Sequence, residues 1–387
     1  MRVGKEGLES KVLIVGSGPV GCYLAYLLAR EGIEVMCIDR KTKPWIPLKC
    51  AGLVSDRFLE MVKVPRKMIL GRYNSFVLRL PNSVLEIHGL EKAYVLERIR
   101  FHEHLITLAQ KAGAKFLLGE DLRTFERSGN KWKCRTGTKT LFTELLVGAD
   151  GACSRIREKL GLRIKLMKGI QARVKLKREK IEVIVDKRFS DCFSWIIPER
   201  AGICRVGMLG FDVSFQRLKK LLSMVGAREV INYQAGMIPY GILKRMSSEH
   251  LLLVGDAASQ VKASTGGGLV TGFIGARTAF NCILNGDFSE RALVEHYDKV
   301  YLTSIGRELR LSYYCSLILR GLDNEDLSNL SKVLKKAEIR KIIYECGDME
   351  LYSKFVRKLL FKSLGDLFPI LLKHPSLISV ISSIFIA

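Results

Sequence analysis

The sequence predicts an α/β protein: a parallel, dinucleotide-binding sheet interleaved with an antiparallel sheet and followed by a helical C-terminal region. Three observations predict it. Lys11–Arg40 reads as strand, helix and strand around a Gly-x-Gly-x-x-Gly turn. Two later apolar runs end in Gly and Asp and lead into further helix starts. Residues 73–96 and 163–240 fall into short alternating runs broken by turn residues.

In the first unit, Val12–Val15 is a continuous apolar run suited to a strand buried on both faces. Val20, Leu24, Leu27 and Leu28 then recur at helical spacing, Gly32 ends the helix, and Val35–Ile38 is a second buried strand stopped by Asp39. Gly16-Ser17-Gly18-Pro19-Val20-Gly21 lies between the first strand and the helix. Gly16 permits the tight turn, Gly18 lets the backbone approach a diphosphate, and Gly21 lets helix and strand pack closely. The diphosphate then sits on the helix N-terminus. Asp39, 18 residues beyond Gly21, is placed to accept bonds from ribose hydroxyls, and Arg40 beside it could reach a 2′-phosphate.

The irregular stretch 43–55 follows, then strands on either side of Pro81-Asn82, a helix over 100–112, a short strand at 115–118 and a β-ribbon through residue 148. The second motif, Gly148-Ala149-Asp150-Gly151, ends that last strand and precedes a helix starting near Ser154. Residues 163–240 read as β-rich. The third motif is Gly255-Asp256 after the buried run Leu251–Val254, with Gly266, Gly267, Gly268 and Leu269 opening a helix to residue 284. Three such junctions fit one ligand lying across the C-terminal edge of a parallel sheet. The expected domains are cofactor-binding segments 1–72, 97–162 and 245–288, substrate-domain segments 73–96 and 163–244, and a helical region 289–387.

Composition bounds the function. With 387 residues, 48% hydrophobic, the chain can bury a substantial core. Its 63 Lys and Arg oppose 39 Asp and Glu, a formal charge of +24 that favours anionic partners. The ten cysteines show neither CxxC nor zinc-like spacing, so no metal site is expected and a reducing cytoplasm is the simpler setting. The first ten residues are too polar for a signal peptide, and no apolar stretch is long enough to span a bilayer. The run Pro375–Ala387 is uncharged, and the helices before it are basic and amphipathic, as in segments that lie on membranes. Residues 163–180 carry eight Lys or Arg against one Glu, either a solvated face or one drawn to an anionic lipid surface.

The three motifs in this order resemble the FAD-dependent oxidoreductases that include the p-hydroxybenzoate hydroxylase type. The resemblance implies a Rossmann-type, glutathione-reductase-like FAD domain. Asp256 would lie by the ribityl and diphosphate groups, Asp150 would serve the cofactor, and Arg98 would approach it. Finer features resemble the geranylgeranyl reductases, above all the archaeal digeranylgeranylglycerophospholipid reductases. Lys49-Cys50-Ala51-Gly52 is similar to their loop beside the flavin, and Phe193-Ser194-Trp195-Ile196-Ile197-Pro198 to a motif lining their substrate cavity. Phe193, Ile197, Glu199 and Ala263 depart from that pattern. The implied function is saturation of C=C bonds in polyprenyl chains of membrane-lipid precursors or prenyl diphosphates, with electrons from NAD(P)H or a ferredoxin. The site would consist of Cys50, Ala51 and Gly52 at the flavin and Phe193, Trp195 and Pro198 around the substrate. Cys50 fits either a thiol serving proton delivery or a small buried hydrophobe. Phe193 and Trp195 fit either a cavity wall or plain core. A monooxygenase or halogenase acting on an aromatic substrate shares the fold. A basic flavoprotein binding tRNA or another nucleic acid is disfavoured by the lack of any recognised RNA module.

Overall fold

Five parallel strands form the centre of the first sheet, in the order Leu251–Leu253, Thr140–Gly148, Gly7–Val15, Val35–Asp39 and Lys115–Leu118. The computed structural model describes residues 3–4, 7–47, 50–200 and 202–386. Val12, Leu13 and Ile14 are fully buried, which explains why this strand reads as a continuous apolar run. Helices Pro19–Arg30, Arg98–Lys111 and Leu269–Leu284 join that core through Leu24, Leu28, Phe101, Leu105, Phe273 and Ala276. A ribbon of Thr124–Ser128 and Lys131–Arg135 extends the sheet antiparallel to Thr140–Gly148.

Register brings the motifs to one edge. Val15 is level with Gly148 and Ile38, and Gly148 with Leu253. The chain therefore leaves three adjacent strands at Gly16, Ala149 and Val254. Backbone bonds from Gly16 N to Ile38 O (2.8 Å), Ala149 N to Val15 O (2.8 Å) and Val254 N to Gly148 O (2.9 Å) hold these exits side by side.

The second sheet runs Glu229–Tyr240, Lys165–Lys175, Ile203–Gly210, Phe193–Pro198, Ile181–Ile184, Ile69–Leu80, Ser83–Leu96 and Leu53–Ser55. Its pairings are antiparallel except Ile181–Ile184 with Ile69–Leu80. The segment expected to be β-rich also holds a helix, Phe215–Met224, started by the Ser214 hydroxyl accepting from Arg217 N (3.3 Å). Its Leu218, Leu221 and Leu222 cover one face of the sheet beside Ile170, Ala172 and Val206. The basic run is less open than its sequence implies. Arg173 pairs with Glu199 (2.8 Å), Lys175 with Glu229 (2.6 Å), Arg178 with Glu182 (3.0 Å) and Lys180 with Glu86 (2.6 Å). Alternation puts Arg173 and Lys175 on one face of their strand, Arg178 and Lys180 lie in the turn beyond it, and acids from neighbouring elements meet all four.

Beyond residue 288 the chain is helical, with Val300–Gly321, Asn324–Leu334, Ala337–Cys346, Val356–Lys373 and Ser376–Ile386 as the longer elements. Leu322, Leu327, Ile370 and Leu377 close the other face of the second sheet over Leu80 and Val185. A polar lock fastens this region to the glycine-rich loop. Lys262 Nζ donates to Glu350 Oε2 and Met349 O, each at 2.6 Å, and Ser55 Oγ donates to Glu350 Oε1 at 3.0 Å.

Beside the lock, Met349 N donates to Glu91 Oε2 (2.5 Å). Burial, with Asp348 and Glu350 nearby, pushes the Glu91 carboxyl up to about 7. A carboxyl raised in the folded state contributes stability below its ordinary pKa and loses it as pH climbs through the raised value. Docking of residues 347–356 is therefore expected to loosen between pH 5 and 8. Proteolytic cleavage there should be faster at pH 8 than at pH 6, and Glu91→Gln should flatten the dependence; equal rates in the parent protein would contradict the assignment.

Candidate functional site

The first turn is built around two contacts a side chain would destroy. A Cβ on Gly16, whose φ is +106°, would strike Ala149 O, and one on Gly21 would strike Gly16 O. Gly18 differs: among the described residues, nothing beyond its chain neighbours lies within 4 Å of its Cβ position, so its α-carbon faces open space. Helix Pro19–Arg30 starts there without a side-chain cap, leaving its first N–H groups directed at that space. Ser17 N donates to Asp39 Oδ2 (2.8 Å) and Lys41 N to Asp39 Oδ1 (2.9 Å), so Asp39 also organises the turn. Arg40 is exposed beside it.

His102, which the sequence reading missed, supports the same turn. Its Nε2 donates to Ser17 O (2.5 Å), and the Cys22 thiol donates to that oxygen at 3.1 Å. Burial holds the imidazole down at about 4, so it is neutral near pH 7.

At the second junction, Asp150 Oδ2 accepts from Arg155 N (2.9 Å) and Ile156 N (3.4 Å), while Ser154 caps the short helix Arg155–Lys159 through Arg157 N (2.9 Å). Asp150 Oδ1 is buried without a partner, and burial raises this carboxyl. Arg157 ties the second junction to the third. Its guanidinium donates to Ala152 O (2.6 Å), Ala257 O (3.3 Å) and Asp256 O (3.4 Å).

At the third, Gly255 (φ +65°) passes close to Val20, and its N donates to Gln260 Oε1 (2.7 Å). Desolvation pushes Asp256 up to about 6. Gly266 takes φ +68°, and Cβ atoms on Gly267 and Gly268 would come to 3.0 Å from Lys262 Cε and Val261 Cγ2. Gly268 Cβ would also lie 3.3 Å from Asp256 Oδ1, and Leu269 begins the next helix with no side-chain cap.

A third group of residues faces this edge from the second sheet. Gly52 (φ +78°) carries the loop past Arg98, which is 7% exposed and whose Nε and Nη1 have no hydrogen-bond partner among the described residues. Arg205 holds the loop in place through Ala51 O (2.6 Å) and Leu96 O (3.3 Å), and is itself held by Glu199 (2.5 Å). Cys50 Sγ accepts from Gly52 N (3.3 Å), while Cys50 O accepts from Gln171 Nε2 (3.2 Å). Lys49, first in that loop motif, lies outside the described residues.

Gln171 continues to the aromatics, accepting from Trp195 Nε1 (3.3 Å). Trp195 packs beside Ala51 and Leu53 with Ile197, and contacts Phe193 at 5.8 Å between ring centroids. Strand alternation turns Pro198 to the opposite face with Ile196. The structure thus sets Trp195 and Ile197 beside Ala51 of the Cys50–Gly52 loop, with Phe193 joined to them through Trp195, and leaves Pro198 on the other side. Replacing Gln171 with Leu is expected to cost about 1–2 kcal/mol by orphaning Cys50 O and Trp195 Nε1. Denaturant unfolding with Trp195 fluorescence as a second probe checks this; an unshifted midpoint and spectrum would count against the link.

Open space at Gly18, two helix N-termini without side-chain caps, and the unpartnered Ser17 Oγ, Asp150 Oδ1 and Arg98 nitrogens suit an extended ligand with an anionic diphosphate. Such a parallel-sheet edge, with a second sheet and its apolar wall beside it, is that of a dinucleotide-binding protein. The chain belongs to the FAD binding domain family, matched over residues 9–206, more than half of its length. It is an FAD-dependent oxidoreductase. It is 29% identical to an uncharacterized protein of Methanocaldococcus jannaschii, over 90% of this chain and 94% of that one. It is 28% identical to digeranylgeranylglycerophospholipid reductase 2 of Methanopyrus kandleri, over 87% and 93% of the respective chains. The crystal structure of a geranylgeranyl bacteriochlorophyll reductase-like protein from Thermoplasma acidophilum superposes with a TM-score of 0.80 at 19% identity, covering 96% of this chain and 99% of that one. The family resemblance read from the motifs is borne out by these relatives.

Arg157, His102, Gln171 and the Arg205–Glu199 pair were missing from the sequence reading. Only Glu199 had left a signal, as a departure from the family pattern.

Proposed function

We propose that the protein saturates C=C bonds of geranylgeranyl or longer polyprenyl chains in membrane-lipid precursors. The observation that carries this is the apolar wall of Trp195 and Ile197 beside Ala51 of the Cys50–Gly52 loop, continued by Phe193 next to Trp195, at the side of the cofactor edge. An unactivated alkene develops no oxyanion, so it needs an apolar, dry and well-positioned site rather than a charged catalytic group. Relatives across most of the chain's length named as digeranylgeranylglycerophospholipid reductases support the same reading.

In this reading Gly16–Gly21 and the Leu269 helix start would hold the diphosphate of FAD, and Asp39 would hold its adenosine ribose. Asp150, Asp256 and Arg98 border the remainder. FAD bound there would supply the hydride equivalent for one alkene carbon. Arg205 and Gln171 fix the Cys50 loop and the Trp195 ring, and so set the distance between alkene and cofactor. Cys50 lies at this boundary as the candidate proton source for the second carbon. NAD(P)H or a ferredoxin refills the electrons.

The test is anaerobic. Dithionite-reduced protein is mixed with an unsaturated digeranylgeranyl glycerolipid, and the visible flavin absorbance is followed. Return of the oxidised spectrum in proportion to added lipid supports the reading. If only oxygen, or oxygen with a phenol, restores it, the monooxygenase reading replaces it.

A further inference from the structure

Helix Val356–Lys373 carries more apolar surface than its packing uses. Val356, Leu360 and Ile370 face the protein, while Phe361, Leu364, Phe368 and Leu372 are exposed, Phe361 to 73% and Leu372 to 64%. At 100° per residue these four form one continuous stripe. The next helix, Ser376–Ile386, has no charged residue and exposes Ile378, Phe385 and Ile386. Neither helix is long and apolar enough to cross a membrane.

Two features identify what covers this surface. The first is charge. Lys358 and Lys362 are exposed along one flank of the stripe. Asp366, the helix's one acid, is taken up by Lys336 (2.7 Å), and the chain as a whole carries +24. Apolar side chains with lysines alongside suit the boundary between acyl chains and anionic headgroups, where a lysine stem lies along the apolar surface and its ammonium meets phosphate. A second copy of this chain, equally cationic, would meet these lysines with like charge.

The second is continuity with the site. Leu367 and Leu371, on the same helix, pack with Ile318 into two clusters at once. One of these contains Phe193 with Leu80 and Val185 on the second sheet, and Phe193 adjoins Trp195 beside the Cys50 loop. An unbroken apolar seam therefore runs from the exposed stripe to the wall of the active site.

We infer that helices Val356–Lys373 and Ser376–Ile386 dock the protein in the plane of an anionic lipid bilayer, on the side of the second sheet that carries Phe193 and Trp195. The inference deepens the prenyl-lipid reading and rests on it for the substrate. The surface itself is testable without turnover.

The FAD-loaded protein is sedimented with vesicles of phosphatidylglycerol or of phosphatidylcholine at low salt. The parent protein is expected to co-sediment with phosphatidylglycerol and far less with phosphatidylcholine. F361S/F368S should reduce the bound fraction's partition coefficient by roughly tenfold or more, since two large apolar side chains leave the interface. K358E/K362E should abolish the preference for the anionic lipid. Both variants change exposed positions, and an unaltered flavin spectrum and melting temperature confirm that they fold. F361S/F368S should still reduce detergent-dispersed lipid at the parent rate while slowing on lipid embedded in vesicles.

The inference is overturned if the parent protein stays in the supernatant with both vesicles, or if F361S/F368S sediments like the parent. It is also overturned if the parent is a dimer that F361S/F368S dissociates with no change in vesicle binding. If vesicles bind as expected and no lipid is reduced, the docking surface stands and the substrate reading falls. If both proteins reduce embedded lipid equally, the reductase stands and the docking falls.

Discussion

Gly18→Ala is expected to weaken FAD binding by about a hundredfold, roughly 2.7 kcal/mol, while leaving the protein folded. The position makes this a clean experiment. Its backbone is extended, with φ −67° and ψ 170°, which alanine adopts without strain. Among the described residues, no atom beyond its chain neighbours lies within 4 Å of the new methyl group. The cost to the helix start stays within about 1 kcal/mol. The methyl group would, however, occupy the space through which a diphosphate approaches the backbone. Gly21→Ala is the contrasting control. Its Cβ would collide with Gly16 O, so stability should fall by about 1–3 kcal/mol together with FAD binding. Fluorescence titration with FAD beside thermal unfolding separates the two. If Gly18→Ala binds FAD as the parent does, the diphosphate does not lie on this turn.

Glu350→Ala should have the largest effect on stability, about 3–5 kcal/mol. Lys262 and Glu350 are 5% and 4% exposed, and without the carboxylate the ammonium would keep only Met349 O. The loss would reach the cofactor edge. Lys262 O accepts from Gly266 N (2.8 Å), and Lys262 N donates to Gly267 O (3.0 Å). Melting temperature and FAD retention through gel filtration should therefore drop together. The double variant K262M/E350L, which replaces the pair with apolar groups, should recover most of the stability because no buried charge is left unmatched. A Glu350→Ala protein as stable as the parent would show that the lock carries little of the C-terminal docking.

Features legible in the sequence were those whose physics is local. Gly16–Gly21, Gly148–Gly151 and Gly255–Gly268 signalled themselves because strand, tight turn and helix start are encoded within a few residues. Apolar periodicity likewise located the strands Val35–Asp39 and Lys115–Leu118. The helix Phe215–Met224 carried a local signal that went unused: a capping Ser214 and apolar residues at 218, 221 and 222. Alternating runs on both sides of it pulled the reading towards strand. The supports of the site were not legible at all, because their partners are remote in the chain. His102 reaches Ser17 across 85 residues, Arg205 reaches Ala51 across 154, and Ser55 reaches Glu350 across 295. Pro198 was grouped with Phe193 and Trp195 by a linear motif, whereas a strand's period of two separates it from them.

The electrostatics follow the same division. A net charge of +24 is a property of composition, but which cations stay available depends on the acids folded against them. Residues 173–180 lose much of their field to Glu199, Glu229, Glu182 and Glu86. Lys358 and Lys362, in a stretch with fewer charges, are the ones left flanking exposed apolar surface.

The proposed hydrogenation of a prenyl chain by this flavoprotein can be read directly in the lipid product. The most direct measurement is product analysis by mass spectrometry after anaerobic incubation of the dithionite-reduced protein with a digeranylgeranyl glycerolipid, with Gly18→Ala alongside. Lipid masses are expected to rise in steps of two hydrogens with the parent protein and to stay unchanged with Gly18→Ala. Lipid of unchanged mass beside a parent flavin that reduces and reoxidises normally would contradict the proposal.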